Sequence, residues 1–204
     1  MRREAVVSST VAEDGQDMNE NIVEQFRQKH ESLAGIVHLV YSMEEAAEKV
    51  KAILQEKGTE KAAFTNLPEE FRQILEQQCT EAGMNLLTPP FNYADLPEAL
   101  DSIQAGVTWA AFAIADAGAI VEFTTDDSHR LISALPLVHI AVIRATDIIA
   151  TLKEAAAPIR NFYLENPQNA NVSFISGPSR TADIEMRLIH GVHGPAETHT
   201  IILT

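Results

Sequence analysis

The chain has 204 residues, 46% of them hydrophobic, which suffices for one well-buried domain without disulfide or metal staples. Its 15 basic and 29 acidic residues give a net charge of −14, which repels nucleic-acid backbone and anionic lipid and argues against both as partners. A single cysteine, Cys79, rules out an internal disulfide and a four-cysteine cluster within one copy. No apolar run reaches the roughly 20 residues of a membrane span, and residues 1–15 lack the apolar core of a secretory signal, so the expected compartment is the cytoplasm.

Residues 1–16 carry Ser8, Ser9, Thr10, Glu13, Asp14 and Gly15 with no sustained period, and are expected to form a mobile tail before one domain over residues 17–204. Ile22, Val23 and Phe26 predict a helix within residues 17–31. A strand over 35–40, a helix over 43–57 capped by Ser42, a strand over 61–64, a helix from Pro68 to Ala82, a strand over 84–87 and a helix over 93–103 follow. Strands alternating with helices of this length predict a parallel sheet covered on both faces. Trp109 to Asp116 and Ala119 to Thr124, joined at Ala117-Gly118, read as a hairpin inserted into that pattern. A short helix capped by Asp126-Asp127-Ser128, a strand over 137–143 and a helix from Thr146 or Asp147 through Ala157, kinked or restarted at Pro158, come next. Strands at Val172 and over 198–203 are expected to complete the sheet.

The densest concentration of chemistry lies after Val172. The strand Val172-Ser173-Phe174-Ile175 ends in Ser176-Gly177-Pro178-Ser179-Arg180-Thr181 and is expected to continue as a helix. Such a turn directs backbone N–H groups and a helix dipole at one spot, while the hydroxyls of Ser176, Ser179 and Thr181 and the fork of Arg180 add donors for a carboxylate or phosphate. A second small-residue turn, Gly191 to Pro195, returns His193 towards the first. Asp116, beside the glycine turn at Gly118, reads either as an acid or base for a substrate or as the carboxylate of an Asx-turn. Asp183 and Arg187 have the spacing of a helical ion pair, and His139 alternates with Leu137 and Ala141 as a hydrogen-bonded core histidine. His190, His193 and His199 do not make a metal site in this reading, because Gly191, Gly194 and Pro195 break the rigid helix that ligands spaced i, i+3 require. No G-x-G-x-x-G or Walker-type lysine loop is present.

The motifs Ala113-Ile114-Ala115-Asp116-Ala117-Gly118, Leu135-Pro136 with His139-Ile140-Ala141-Val142, Ser176 to Glu185, and Gly191 to Pro195 together resemble the LUD-domain family of the lactate-utilisation protein C type. The chain departs from the expected pattern at Ala117 and Ala119, where threonine or serine would flank the glycine. The resemblance implies a three-layer α/β/α fold with a mostly parallel sheet, similar to ribose-phosphate isomerases and CoA transferases. It also implies a component of a system oxidising L-lactate to pyruvate with iron–sulfur partner proteins, the clusters lying on the partners and no cofactor in this chain. On that reading Asp116 and His193 are catalytic candidates, and Gly118, Ser176, Gly177, Ser179, Arg180 and Thr181 hold a small carboxylate or phosphate. A free-standing enzyme acting on a phosphorylated or CoA-linked small molecule, and a purely structural assembly component, are the alternatives.

Overall fold

The computed structural model describes residues 19–91, 96–182, 188–190 and 193–204, so the expected tail over residues 1–16 lies outside the described part. Helix α1, over residues 19–32, buries Val23, Phe26 and His30 along one face. Strand β1 (Ile36–Val40) leads to α2 (Met43–Glu56), where the Ser42 side chain accepts from the Glu45 N–H and Ala46, Ala47, Val50, Ile53 and Leu54 are buried. β2 (Lys61–Thr65), α3 (Glu69–Glu81) after Pro68, β3 (Asn85–Leu87) and α4 (Leu96–Asp101) continue the alternation.

β4 (Ala105–Trp109), a strand not expected from the sequence, precedes the expected hairpin, which forms as β5 (Phe112–Ile114) and β6 (Ala119–Thr124) paired antiparallel. After α5 (Asp127–Ala134), capped by Asp126, comes β7 (Val138–Arg144). The helix expected from Thr146 is not formed. Ala145–Asp147 is a 3-10 turn, Ile148–Ile149 is the short strand β8, and α6 spans Ala156–Glu165 with Pro158 in its first turn, where no intrahelical N–H is required. The β-branched pair at 148–149 satisfies its backbone against β5 instead of within a helix.

After β9 (Asn171–Ile175) the expected helix is likewise replaced. β10 (Arg180–Ala182) pairs antiparallel with β11 (Leu188–His190), Thr181 opposite Ile189. The Asp183–Arg187 ion pair falls outside the described residues. β12 (Glu197–Leu203) is the final strand along the chain among the described residues.

The main sheet has the order β1-β12-β7-β4-β2-β3, every neighbouring pair parallel. β9 does not join it: a second sheet has the order β8-β5-β6-β9. The chain passes between sheets within two residues, since the Ala110 N–H donates to the Val142 carbonyl on β7 and the Ala111 N–H to the Val121 carbonyl on β6. On one face of the main sheet, Val107, Ile140, Val142 and Ile201 pack under Val50, Leu54, Phe71 and Leu75 of α2 and α3. The other face is covered by α1 and the second sheet through Phe26, Ala113, Ile120, Ala141 and Ile202, and by α4 and α5 through Leu100 and Ile132. The result is a three-layer α/β arrangement whose third layer mixes helices with a small sheet.

α5 lies against β4 because Gly106 has no side chain: a Cβ there would fall 1.9 Å from the Ile132 carbonyl oxygen. Gly106→Ala should therefore lower the unfolding free energy by about 1–3 kcal/mol, the usual cost of forcing extra volume into a packed core. Urea denaturation measures this, and an unchanged midpoint contradicts the contact.

Candidate functional site

A seam of buried polar side chains separates the main sheet from its third layer. Along β6, Ile120 faces the main sheet and Val121 faces α6, so alternation turns Glu122 inward, where it is 3% exposed. The Thr108 hydroxyl on β4 donates to Glu122 Oε1 at 2.5 Å and lies 2.8 Å from His139 Nε2 on β7, which is itself 3.4 Å from the same carboxylate oxygen. With the hydroxyl proton committed to the carboxylate, His139 Nε2 must carry hydrogen and donate to Thr108 Oγ1. Burial opposes ionisation of Glu122, yet the contacts of His139, Thr108 and Ser133 outweigh it and hold the carboxyl below its ordinary value. His139 is thus a hydrogen-bonded core histidine and half of a buried acid–base pair. Thr198, beside His139 in the register of β12 and β7, has a buried hydroxyl with no hydrogen-bond partner among the described residues.

A second buried histidine extends the seam. His30 Nδ1 donates to the Gly118 carbonyl at 2.8 Å, and Nε2 lies 3.1 Å from the Thr200 hydroxyl, from which it accepts when the ring is neutral. Burial is the main cause holding it below the usual histidine range. Gly118 adopts φ +58°, and a Cβ there would meet the His30 amide nitrogen at 2.9 Å, so only glycine brings the β5–β6 turn this close to α1. Ala119, next in the turn, is buried, and a threonine or serine hydroxyl at that position would need a partner inside the seam.

The corner formed by the Ser176 and Gly194 turns sits directly beyond this seam. Ile175 pairs with Ile120, which places Ser176 and Gly177 at the same end of the second sheet as Gly118. Gly177 packs against the Leu33 carbonyl at the end of α1. The Ser179 N–H donates to the Pro195 carbonyl at 2.8 Å, so that amide is not offered to a ligand, whereas its hydroxyl lies beside Gly194. The Ala196 N–H donates to the Leu137 carbonyl, seating the corner at the amino-terminal ends of β7 and β12 rather than at strand carboxyl ends. His193 is exposed on this corner; the Arg180 and Thr181 side chains lie outside the described structure, their backbone forming β10.

Asp116 shares that end of the second sheet but faces away. Its carboxylate accepts from the Leu152 N–H at 3.2 Å, beyond β8, and in the order β8-β5-β6-β9 this is the side opposite Ser176. That is turn-capping geometry. His199 is engaged elsewhere: its Nδ1 lies 3.1 Å from His38 Nε2, and its Nε2 3.3 Å from Glu197, which in turn binds Lys57. Cys79 is packed in the core of α3, and burial pushes its thiol up to about 11. The residues missed in the sequence are Thr108, Glu122, Ser133 and His30. Glu122 carried a usable signal, an ionisable side chain in phase with Ile120 on the apolar face of a strand.

Fold and seam define a three-layer α/β protein with an acid–base pair beneath a glycine-turn corner, and comparison with known proteins agrees on the class. The model of the LUD domain matches residues 23–203, and the chain belongs to that family. It is similar to the lactate utilization protein C of Anoxybacillus flavithermus, 36% identical over 107 residues (52% of this chain, 47% of that protein). It is also similar to that of Shouchella clausii, 35% identical over 106 residues (52% and 46%), and that of Bacillus subtilis, 31% over 105 residues (51% and 44%). The matches span about half the length of these curated relatives. A crystal structure of a DUF162 family protein from Deinococcus radiodurans shares the fold, with a TM-score of 0.62 at 22% identity over 91% of this chain and 98% of that one. No helix among the described residues is long and apolar enough to cross a membrane.

The buried histidines fix how stability depends on pH. Burial is the main cause holding His30, His38 and His199 below the ordinary 6.5, His38 at about 4. The unfolded chain therefore takes up their protons first as pH falls, and stability present above 6.5 is lost towards 4, at up to roughly 1.4 kcal/mol per pH unit for each histidine. Glu122 and Glu197 are lowered from 4.5, so their contribution is kept while pH stays above that value and is lost as pH falls below it. Urea midpoints measured from about pH 7 down to about pH 5 should fall steadily, and His38→Gln should flatten the decline. A level midpoint across that range contradicts neutral buried rings.

Proposed function

We propose that the chain is a component of a lactate-utilisation system that oxidises L-lactate to pyruvate together with iron–sulfur partner proteins, in the cytoplasm. The observation that carries this reading is the LUD-domain match over residues 23–203 with relatives named for lactate utilisation. The chain supplies a binding corner and a proton-handling group, and the redox centres belong to the partners. Ser176, Gly177, Ser179, Arg180 and Thr181, with the Gly118 turn beside them, hold the carboxylate of the substrate or of a partner side chain. His193 stands at the rim as the titratable group next to the ligand. Asp116 keeps its turn-capping part, and the Glu122–His139 pair behind the corner takes up one of the two protons released on oxidation, the other passing to solvent and the two electrons to the partners' clusters.

The reading is tested by lactate-dependent dye reduction, first with this chain alone and then with cysteine-rich iron–sulfur proteins of the same organism. Reduction should require the partners. Arg180→Ala should lower turnover by about tenfold or more while the assembly still forms, as for loss of one charge-assisted contact to a carboxylate. Robust turnover by the chain alone would instead favour a free-standing enzyme on a phosphorylated or CoA-linked substrate, the reading that the buried acid–base pair also supports. No turnover with intact partner clusters would favour a structural assembly component.

A further inference from the structure

A cavity of about 590 Å³ opens at the opposite end of the main sheet, among Val23, Glu24, Leu39, Tyr41, Arg144 and Leu203. Leu39, Arg144 and Leu203 lie at the carboxyl ends of β1, β7 and β12, three adjacent parallel strands, and the first turns of described α1 form the facing wall. Open α/β sheets place ligands outside strand carboxyl ends, and the volume falls within the usual range for small-molecule sites. We propose that this cavity binds a small amphipathic monocarboxylate, its carboxylate held by Arg144 and its apolar body laid on Val23, Leu39 and Leu203.

Charge selects the class. Arg144 makes no ion pair among the described residues; its guanidinium is instead exposed and stacked 5.2 Å above the Trp109 ring, which orients the fork without neutralising it. Glu24, across the cavity, is already engaged by Arg27 at 2.8 Å through both oxygens and by Gln28, so it competes weakly for Arg144. Glu20 remains at the rim and penalises a second negative charge on the ligand, which disfavours dicarboxylates and phosphates relative to a monoanion. Apolar surface left open supports the other half of the ligand: Leu39 is 45% exposed and Tyr41 76%. Lactate is far too small to fill this space, so the site is separate from the corner at the amino-terminal ends of β7 and β12 and does not depend on the function proposed above.

Trp109 is the only tryptophan of the chain, which gives the test a direct reporter. Full-length protein is titrated with hexanoate, with hexanol and with inorganic phosphate while Trp109 fluorescence is followed, and ligand-observed saturation-transfer NMR is run in parallel. Hexanoate should give a saturable fluorescence change and saturation transfer to its methylene chain, while hexanol and phosphate should bind at least about tenfold more weakly. Arg144→Gln should weaken hexanoate by about tenfold with the melting temperature unchanged, and Arg144→Lys should restore part of the loss. Leu39→Asp should abolish binding as well. Absence of saturable hexanoate binding in both measurements overturns the proposal. So does equal affinity in Arg144→Gln, equal binding of phosphate, or binding that is lost in Arg180→Ala but kept in Arg144→Gln.

Discussion

Glu122 is a carboxylate enclosed between two sheets, and the packing of the third layer is organised by the need to keep it paired. A buried carboxylate without donors is costly enough to protonate or to unfold its surroundings. Here the supporting groups come from separate elements: the Thr108 hydroxyl on β4 donates to the carboxylate, His139 on β7 backs both that hydroxyl and the carboxylate, and Ser133 on α5 lies beside it while its own hydroxyl donates to the Arg130 carbonyl. Each must be in register before the carboxylate is satisfied, so the contact specifies how β6 and α5 sit on the parallel sheet. Gly106 belongs to the same constraint, because a side chain there would lift α5 and withdraw Ser133 from the seam.

His30 does for α1 what Glu122 does for β6. The ring spans from the Gly118 carbonyl in the second sheet to Thr200 in the first, and stacks on Phe26, so one neutral histidine ties helix and both sheets together. Gly35 has its α-carbon against that ring, a Cβ there falling 2.2 Å from His30 Cδ2. The corner residues are thereby anchored from below: Gly118 by His30, Gly177 by Leu33, and Pro195 by Ser179. The Gly118 turn is held at its base by a buried hydrogen bond, and the Ser176 turn by close packing on the end of α1 and by the Ser179–Pro195 backbone bond.

Most helices and strands were legible because their signals are local. Ser42 before Met43, Asp126 before Asp127, and the glycines at 58 and 83 punctuate periodic apolar stretches, and each appears at an element boundary in the structure. The sheet change at Ala110 and Ala111 was not legible, since the period-two pattern runs unbroken from β4 into β5 while successive amides turn to different partners. The helix expected over 146–157 failed for a related reason, as Ile148 and Ile149 fit one face of a helix equally well and only the distant β5 decides for a strand. At the site, the glycine turns were visible because glycine is locally unusual. Thr108, Ser133 and His30 were not, because what gives them meaning is a carboxylate or carbonyl far along the chain.

A net charge of −14 does not prevent anions from binding at either end of the sheet, but it constrains which ones. Screening confines the repulsion of distant carboxylates to about 8 Å at physiological salt, so a ligand in contact with an arginine or with backbone amides feels mainly its immediate neighbours. Repulsion from the remainder still scales with ligand charge, and a monocarboxylate therefore meets about half the penalty of a dianion at the same position. At the corner the near neighbours are backbone groups and hydroxyls; at the carboxyl-end cavity they are one guanidinium, Glu20 at the rim, and Glu24, already shared with Arg27. Under the two proposals both environments discriminate in the same direction, towards small singly charged acids, and they differ in what they do with the rest of the molecule. The hydroxy acid proposed for the corner would be held by hydrogen bonds, whereas the acid proposed for the cavity would lay a longer apolar body on Val23, Leu39 and Leu203.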